Sequence, residues 1–342
     1  MSKEDSGTRG RPTLVDIADA AGVSLATVDR VMNQRKGVKE RTRMRVLELA
    51  RETGFLSQAD VERFVTPPPP NIVFLLPSGG NPYLRLLGDR LRRRVSAKNA
   101  GEPALRCFFI EGFNAKALAA ALRQNAGWAD GIAFFAIEHP LVRDAAIEIS
   151  ELGKRLVTIV SDLGSHSPVD YIGLDNHTVG RTAGFLMGRF LNRRAGSVAL
   201  VAGSRQYRAH CEREAGIMSI MDEMFPDLHV MAMREGHDDP GENYRHALNL
   251  LEQKPDLVGI YNVGGASGGI CRALRECNRA DIVTIGHGLT TDTRKALLDG
   301  TLDAVFDLAA DEVIARAIAA LVAPETATSL PKFDIFFREN LP

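Results

Sequence analysis

A run of four prolines, Pro67 to Pro70, is the feature that most limits how this chain can fold. Consecutive prolines neither continue a helix nor donate to a β-ladder, and they favour extended polyproline II structure. The chain has 342 residues, a length typical of two or three domains. We therefore predict a domain over residues 1–55, a hinge or linker over 56–70 and a larger domain over 71–342.

The larger domain contains ten apolar runs of strand length, separated mostly by segments of helix length. Continuous apolar strands that alternate with helices predict parallel sheets covered by helices on both faces. Ten strands exceed the usual sheet of about five or six, so we predict two doubly wound α/β lobes. The runs lie at 72–76, 105–110, 132–137, 156–160, 198–202, 229–233, 257–261, 282–286, 302–306 and 333–337, with helical segments such as 81–99, 177–194, 208–224 and 265–279 between them.

Polar side chains follow several of these runs. In open parallel sheets, ligands bind beyond the carboxyl ends of the strands. Two lobes that meet at those ends would form a cleft between them. The candidate ligand contacts are therefore the polar residues just after the runs, namely Asn81, Glu138, Asp162, Asn262, His287 and Asp307.

The first domain has the spacing of a helix-turn-helix. The segment 14–21 predicts a helix whose inner face includes Ala18, where two closely crossing helices leave room only for a small side chain. Gly22 allows a turn with positive φ, and Ser24 is a suitable N-cap for a second helix that carries Val28 inward. A third helix is predicted over about 39–53. The first domain is therefore predicted to be all-α.

Charge distribution indicates a polyanionic partner for this first domain. The whole chain has a net charge of −1, but residues 30–45 carry seven Lys and Arg side chains against Glu40 alone. The second helix would present Leu25, Ala26 and Arg30 to a DNA major groove, while the basic segment lies near phosphates. The alternative is a helical hairpin whose basic face is simply solvated.

The segment TLVDIADAAGVSLATVDRVMN, followed by TRMRVLELARETGF, resembles the DNA-binding headpiece of the LacI/GalR repressors over about residues 12–55. The resemblance implies that Thr27 and Thr42 contact phosphates and that residues 25, 26 and 30 read bases. The full set of candidate DNA contacts is Ser24, Leu25, Ala26, Thr27, Arg30, Asn33, Thr42 and Arg43.

Two positions depart from that family pattern. Asp29 stands where the family usually has Ser, so it either pairs with a neighbouring Arg or weakens DNA binding. The usual hinge-helix motif is replaced by SQADVERF at 57–64, which lacks the leucine that wedges into the minor groove. Phe64 is the residue that would intercalate in its place.

The region 71–342 resembles the periplasmic-binding-protein-like sensor of the same repressors, most closely those that sense monosaccharides or polyols. The segments that carry the resemblance are SGGNPYLRLLGDRL, VAGSRQYRAHCEREAGI, GIYNVGGASGGICRAL, TIGHGLT and FFRENLP. By this resemblance the effector contacts are Asn81, Tyr83, Glu138, Asp162, Arg213, Asn262, His287 and Asp307, with Leu308 as the alternative to Asp307 and with His287 where many members have Asp.

Individual members of this set have other possible roles. Asn81 is also suited to capping a helix, Asp162 to holding a loop, and His287 to a satisfied internal hydrogen bond. Arg213 is the strongest candidate for a ligand contact, because a buried guanidinium needs an anionic or hydroxyl-rich partner.

Other functional classes find little support in the sequence. The glycine-rich segment 264–269 follows a strand and begins a helix, as phosphate loops do, but it matches neither GxGxxG nor a P-loop. The alternative is that these glycines allow close helix packing. No catalytic triad or zinc spacing is present, so no enzyme activity, cofactor or metal is predicted.

The sequence therefore predicts a DNA-binding transcriptional regulator, expected to be a repressor, that acts on an operator as a homodimer or a higher oligomer and responds to a sugar-like or polyol effector. A solute-binding protein and a sugar-modifying enzyme with a Rossmann-like fold are the alternatives. The N-terminus has no export signal, so the expected location is the cytoplasm.

Overall fold

The computed structural model describes residues 12–35, 37–65, 69–97, 101–164, 169–323 and 331–342. Pro67 and Pro68 of the proline run, and the end of the helix predicted over 81–99, lie outside the described residues. The chain divides into two compact units, residues 1–69 and residues 70–342. The predicted fold class, an all-α helix-turn-helix headpiece followed by a two-lobed, doubly wound parallel-sheet α/β unit, is confirmed.

The first unit contains the helices α1 (Leu14–Ala21), α2 (Leu25–Met32), α3 (Glu40–Glu52) and α4 (Gln58–Val65). Thr13 and Asp16 form a reciprocal capping box at the start of α1. Gly22 ends α1 with a φ of 64°, as the predicted turn requires. The core of this unit joins the three first helices and consists of Ile17, Ala18, Ala21, Val28, Val31, Val46, Leu47 and Ala50.

The segment predicted as a hinge forms α4 and packs on this core. Ser57 begins the helix through reciprocal hydrogen bonds with Asp60. Val61 and Phe64 pack against the headpiece core, and the guanidinium of Arg43 donates to the backbone oxygen of Phe64. Phe64 is therefore engaged within the headpiece in this structure, in place of projecting as a free wedge.

The first sheet of the larger unit is parallel, with strand order β2-β1-β3-β4-β5. Its inner strands are almost fully buried because helices cover both faces. The elements are β1 (Asn71–Ser78), α5 (Pro82–Ser96), β2 (Ala104–Glu111), α6 (Ala115–Ala126), β3 (Gly131–Phe134), α7 (Pro140–Glu151), β4 (Arg155–Ile159) and β5 (Asp170–Ile172).

The second sheet has the order β12-β11-β10-β9-β6-β7, and β8 pairs with β6. Only β12 of these described strands runs antiparallel, against β11. The elements are α8 (Asn176–Leu191), β6 (Gly196–Ala202), α9 (Arg208–Met224), β7 (Leu228–Val230), β8 (Arg234–Glu235), α10 (Pro240–Gln253), β9 (Leu257–Asn262), α11 (Ser267–Glu276), β10 (Val283–His287), α12 (Thr291–Asp299), β11 (Ala304–Asp307), α13 (Ala310–Val322) and β12 (Asp334–Phe336).

The strands differ from the sequence prediction in three places. The run predicted at 229–233 is a strand only in its first part, where β7 ends at Val230, and a separate short strand, β8, follows the run at Arg234–Glu235. The strand β5 has only three residues and was not predicted, since so short a segment carries little periodicity. The antiparallel direction of β12 depends on the path of the chain before it and has no local sequence signal.

The chain passes between the two lobes, so neither lobe is a continuous segment. After the first sheet, α8 packs on β9 and β10 of the second sheet. After the second sheet, α13 returns to pack on β3, β4 and β5. The guanidinium of Arg155 fixes this return by donating to the backbone oxygens of Leu321 at 2.9 Å and Val322 at 2.7 Å. Each lobe is thus completed by residues distant in sequence.

Within the described part of the chain, no helix has the length and apolar character needed to cross a membrane.

The close packing of α1 in the headpiece core can be tested at Ala18. Ala18 is 4% exposed, whereas Ala20 on the same helix is exposed. We expect Ala18→Leu to destabilise the headpiece by about 1–3 kcal/mol, because the added methyl groups overpack the helix crossing. Ala20→Leu, the matched control, should change the free energy of opening by less than about 0.5 kcal/mol. Amide hydrogen exchange of α1–α3 in the full-length protein measures both, and equal effects would contradict the crossing.

Candidate functional site

The surface of α2 presents the residues predicted to contact DNA. Ser24 caps the helix, accepting from the backbone N–H of Thr27 at 3.2 Å. Leu25 is 49% exposed, and Ala26 and Arg30 are also exposed on this helix. These three side chains are therefore free to meet a partner, as the recognition helix of a helix-turn-helix requires.

Asp29 pairs within the headpiece. Its carboxylate lies 3.2 Å from the guanidinium of Arg35 and accepts from the side-chain amide of Asn33 at 2.8 Å. Of the two possibilities left open by the sequence, the structure shows pairing with a neighbouring Arg. The same bond holds the predicted DNA contact Asn33 at the end of α2.

The two predicted phosphate contacts on α3 are half-buried. Thr42 and Arg43 lie in the first turn of the helix, whose free backbone N–H groups and partial positive charge favour phosphate. The bond from Arg43 to the backbone oxygen of Phe64 orders its side chain but also couples it to α4. The roles of all eight predicted DNA contacts stay predictions.

A cavity lies between the two lobes of the larger unit, at the carboxyl ends of strands from both sheets. Its volume is about 60 Å³. Its polar lining residues are Asn81, Tyr83, His210, Arg213, Asp238 and His287. Its apolar lining comes mainly from Leu84, Phe135, Val160, Leu174, Phe306 and Leu308.

Four of the eight predicted effector contacts line this cavity: Asn81, Tyr83, Arg213 and His287. Leu308, the alternative to Asp307, lines it as well. Whether these residues contact an effector stays a prediction, but the structure brings them together from α5 and its N-cap, α9, β10 and the loop after β11.

Asn81 has two structural roles beside the cavity. Its side-chain oxygen accepts from the N–H groups of Tyr83 and Leu84 and so caps α5. Its side-chain amide donates to the carboxylate of Asp238 at 2.9 Å. Because Asn81 belongs to the first lobe and Asp238 to the second, this bond joins the lobes at the cavity wall.

The other four predicted effector contacts do not line the cavity. The carboxylate of Asp162 holds its own loop, accepting from the hydroxyl of Thr158 and from the N–H of Leu163. The carboxylate of Glu138 pairs with Arg143. The remaining two also make internal bonds: Asn262 donates to the backbone oxygen of Gly265 and the hydroxyl of Ser267, and Asp307 accepts from the N–H of Leu289.

Arg213 is held in the cavity wall by a close crossing of α8 and α9. A Cβ on Gly180 would overlap the backbone oxygen of Arg213, so glycine at this position lets the helices approach. Arg213 is buried, with 7% of the residue's surface exposed to solvent. It donates to the side-chain oxygen of Asn176 at 2.9 Å and to the backbone oxygen of Val263 at 2.6 Å. Burial lowers the pKa of this guanidinium from its usual value.

Two other groups of the cavity, His287 and Tyr83, lie within the electrostatic influence of the Arg213 charge. The His287 ring lies 2.8 Å from the buried hydroxyl of Tyr261, and burial together with the Arg213 charge lowers the pKa of His287 well below its usual value. The Tyr83 hydroxyl is buried without a hydrogen-bond partner among the described residues. Burial raises the pKa of Tyr83, so it remains a neutral phenol.

Sequence reasoning missed Asp238 as a wall residue. It follows β8 and has a φ of 52°, a conformation that Asp adopts more readily than most residues. Its carboxylate accepts from Asn81 and, at 2.7 Å, from the N–H of Gly265. The available signal was the polar segment after residue 233, but the strand that precedes Asp238 is β8, which consists of two polar residues and lies beyond the predicted apolar run.

Three rings of the wall were also missed, His210, Phe135 and Phe306. Phe135 lies inside the apolar run 132–137 and Phe306 ends the run 302–306, so a sequence pattern assigns both to the core and not to a site. His210 lies in the first turn of α9, one turn before Arg213, so helical spacing from Arg213 could have identified it.

The glycine-rich segment 264–269 serves close packing. A Cβ on Gly265 would collide with the side chain of Asn81, and a Cβ on Gly269 would overlap the backbone oxygen of Pro240. These approaches support the packing alternative for this segment. Among the described residues, no group of three or more His, Cys, Asp or Glu side chains is placed to hold a metal ion.

His210 makes the cavity wall sensitive to pH. Burial, aided by the Arg213 charge, lowers its pKa to about 4, against 6.5 for an exposed histidine. The neutral ring is therefore favoured in the folded state, and stability falls as pH decreases from about 6.5 towards 4. We expect this group to remove about 2 kcal/mol of stability between pH 7 and pH 5.

The measurement is the free energy of unfolding of the larger unit by urea at the two pH values. His210→Gln should make this loss about 2 kcal/mol smaller, whereas substitution of the exposed His177 by Gln should leave the loss as in the parent protein. A His210→Gln variant with the parent's pH dependence would rule out the role of this ring.

Two family models match the chain. Residues 72–324 match the periplasmic binding protein domain, and residues 13–58 match the bacterial regulatory proteins of the lacI family. A curated relative is the HTH-type transcriptional repressor PurR of Erwinia tasmaniensis, 26% identical over 295 residues, which covers 82% of each chain.

Solved structures share the fold of the larger unit. GanP, a glucose-galactose binding protein from Geobacillus stearothermophilus, superposes with a TM-score of 0.70 at 21% identity and covers 80% of this chain and 99% of its own. A putative LacI transcriptional regulator from Bacteroides fragilis gives a TM-score of 0.68 at 16% identity, covering 80% of this chain and 98% of its own. The present chain belongs to the periplasmic binding protein domain family over residues 72–324, and its headpiece is a domain of the lacI family of bacterial regulatory proteins at residues 13–58.

Proposed function

We propose that this member of the lacI family represses transcription by binding an operator as a homodimer, and that a compact polar effector in the interlobe cavity controls its affinity for DNA. The relative named PurR is a transcriptional repressor. Operator binding places the protein in the cytoplasm of a bacterium. The observation that carries the proposal is the joining, in one chain, of an exposed recognition helix and a cavity whose wall is shared by two lobes.

The headpiece supports sequence-specific binding. Leu25 and Ala26 are apolar and exposed at the start of α2, where they suit contact with a thymine methyl group. Arg30 is exposed on the same helix, and its guanidinium is able to donate two hydrogen bonds to the O6 and N7 atoms of one guanine. The basic side chains that follow α2 and begin α3 supply the phosphate contacts that set position without reading sequence.

A dimer follows from the size of the headpiece. A single small DNA-binding module buries too little surface to distinguish one operator in a genome. Two modules related by twofold symmetry add their binding energies on a pseudo-palindromic site. The proposed operator therefore has two half-sites, each read by one copy of α2.

The cavity supports control by a ligand. The bond between Asn81 and Asp238 crosses from one lobe to the other at the cavity wall, so a ligand there changes the balance of contacts that hold the lobes together. A coupling of about 1–3 kcal/mol between the sites would change operator affinity by about 5- to 150-fold. The polar side chains and aromatic rings that line the cavity are in keeping with the sugar-like or polyol class expected from the sequence.

The solute-binding and enzyme alternatives lack a comparable observation. GanP is a glucose-galactose binding protein, but its likeness to this chain is one of fold. The helix-turn-helix at residues 13–58 has no role in a transporter's solute receptor or in a sugar-modifying enzyme.

Base recognition is tested by removing the Arg30 side chain. We expect Arg30→Ala to reduce the preference for operator over random DNA by about 1–3 kcal/mol, because a bidentate contact to guanine is lost. Arg51→Ala is the matched control, since it removes one exposed positive charge at the far end of α3. Competition gel shifts on an operator selected from genomic fragments measure the preference. Equal losses in the two variants would contradict base reading by Arg30.

The division of labour is tested by truncation. We expect residues 70–342 alone to remain folded and dimeric and to keep the cavity, since this unit has its own core, but to lose retardation of operator DNA. Sedimentation and gel shift measure the two properties. An unfolded product, or a truncated protein that still retards the operator, would overturn the assignment of DNA binding to the headpiece.

A further inference from the structure

The interlobe cavity has an unequal supply of hydrogen-bond donors and acceptors. A neutral sugar needs both kinds, because each hydroxyl donates as well as accepts. Three carboxylates expected at the site, those of Glu138, Asp162 and Asp307, do not line it. Among the described lining residues Asp238 is the remaining carboxylate, and its two oxygens already accept from Asn81 and from the N–H of Gly265.

Arg213 contributes a buried positive charge with neutral partners. Its two recorded hydrogen bonds go to an amide oxygen and a backbone oxygen. Its second terminal amine, Nη2, makes no hydrogen bond to any residue that the structure describes. A guanidinium binds a carboxylate more strongly than a neutral oxygen, because the bond is assisted by both charges. The nearby Asp238 acts on Arg213 only through space and makes no hydrogen bond with it in the described chain.

His287 adds a second donor beside Arg213. The Tyr261 hydroxyl is fully buried and has the Nε2 atom of His287 as its hydrogen-bond partner in the described part of the chain. The phenol proton must therefore be donated to Nε2, since a buried hydroxyl proton without an acceptor is costly. A neutral His287 that accepts at Nε2 carries its proton on Nδ1. The Nδ1–H group has no recorded acceptor among the described residues, so it is available to a ligand.

The remaining wall is suited to carbon and to a few hydroxyls. Phe135 and Phe306 offer ring surfaces of the kind that pack on the C–H face of a sugar. The Nδ1 atom of His210 lies 2.9 Å from the backbone oxygen of Ser204 and 3.3 Å from its N–H group; in the tautomer that donates from Nδ1 to the closer oxygen, Nε2 is an acceptor. The unpartnered hydroxyl of Tyr83 is able to donate or to accept. The site thus combines two strong donors with few free acceptors.

We propose that the effector is a sugar acid, a monosaccharide-sized hydroxycarboxylate whose carboxylate is bound by Arg213 and His287. This inference rests on the proposed function, since it names the ligand class of the same cavity. The carboxylate supplies acceptor atoms where the wall supplies donors, and it gives the buried guanidinium a directly bonded counter-charge. The hydroxyls face His210 and Tyr83, and the carbon skeleton packs on the phenylalanine rings.

The test compares acids with neutral sugars of the same skeleton on the full-length protein. D-Glucuronate is paired with D-glucose, D-galacturonate with D-galactose, and D-gluconate completes the panel, with affinity measured by calorimetry and stabilisation by thermal unfolding. We expect at least one acid to raise Tm and to bind at least about tenfold more tightly than its neutral counterpart, because charge-assisted hydrogen bonds are the stronger ones. This comparison does not depend on any variant.

The role of Arg213 is tested by the ratio of the two affinities. Arg213→Gln keeps a hydrogen-bonding side chain but removes the charge, and it should reduce the preference for the acid by about tenfold or more. A purely structural role would weaken both ligands alike and leave their ratio unchanged. Arg181→Gln is the control, because Arg181 lies on α8 and pairs with Glu223 outside the cavity lining; it should keep the preference.

Neutral hexoses that bind as tightly as the acids would overturn the inference, and so would a panel in which no acid binds. Neither result touches the proposed function, which stands if the protein retards operator DNA. Conversely, a protein that prefers acids but retards no operator would leave the ligand class in place and remove the repressor assignment.

Discussion

The burial of one guanidinium determines the architecture of the interlobe site. Arg213 reaches its position because α8 and α9 cross closely at Gly180, and its bonds to Asn176 and to Val263 connect α9 with α8 and with the end of β9. Burial, together with the Arg213 charge, lowers the pKa of His287. Because burying a cation is costly unless hydrogen-bond acceptors surround it, the position of Arg213 depends on the acceptors that α8 and the end of β9 supply.

The second constraint is that the lobes share the chain. The helix α8 leaves the first sheet for the second, and α13 returns, anchored by Arg155. A lobe completed by distant segments cannot be displaced without moving the other, which suits a body that transmits ligand binding to a headpiece. The bond between Asn81 and Asp238 lies where the lobes meet the cavity, so the groups that close the cleft are also groups that a ligand would contact.

The headpiece was the most predictable part of the molecule. Its helices, the N-cap at Ser24 and the turn at Gly22 depend on local propensity and on spacing within about forty residues.

The residues that line the cavity of the larger unit were only partly predictable. Residues whose position is fixed by the end of one strand or one helix, such as Asn81 and His287, were found. Asp162 and Asp307 also follow strands, but their carboxylates satisfy nearby backbone N–H groups, which a sequence pattern does not reveal. Asp238 was missed because the strand before it, β8, has only two residues, both polar, and lies beyond the predicted apolar run.

The sequence by itself determined the headpiece, the alternation of strands and helices, and the edge of the sheets at which a ligand would bind, because each depends on periodicity and on the direction of parallel strands. The tertiary structure alone decided which segments complete each lobe, the antiparallel strand β12, the packing of Phe64 on the headpiece, and which polar groups face the cavity. Those outcomes depend on contacts between residues far apart in the chain, where burial and competing hydrogen-bond partners, and not local pattern, set the lowest free energy.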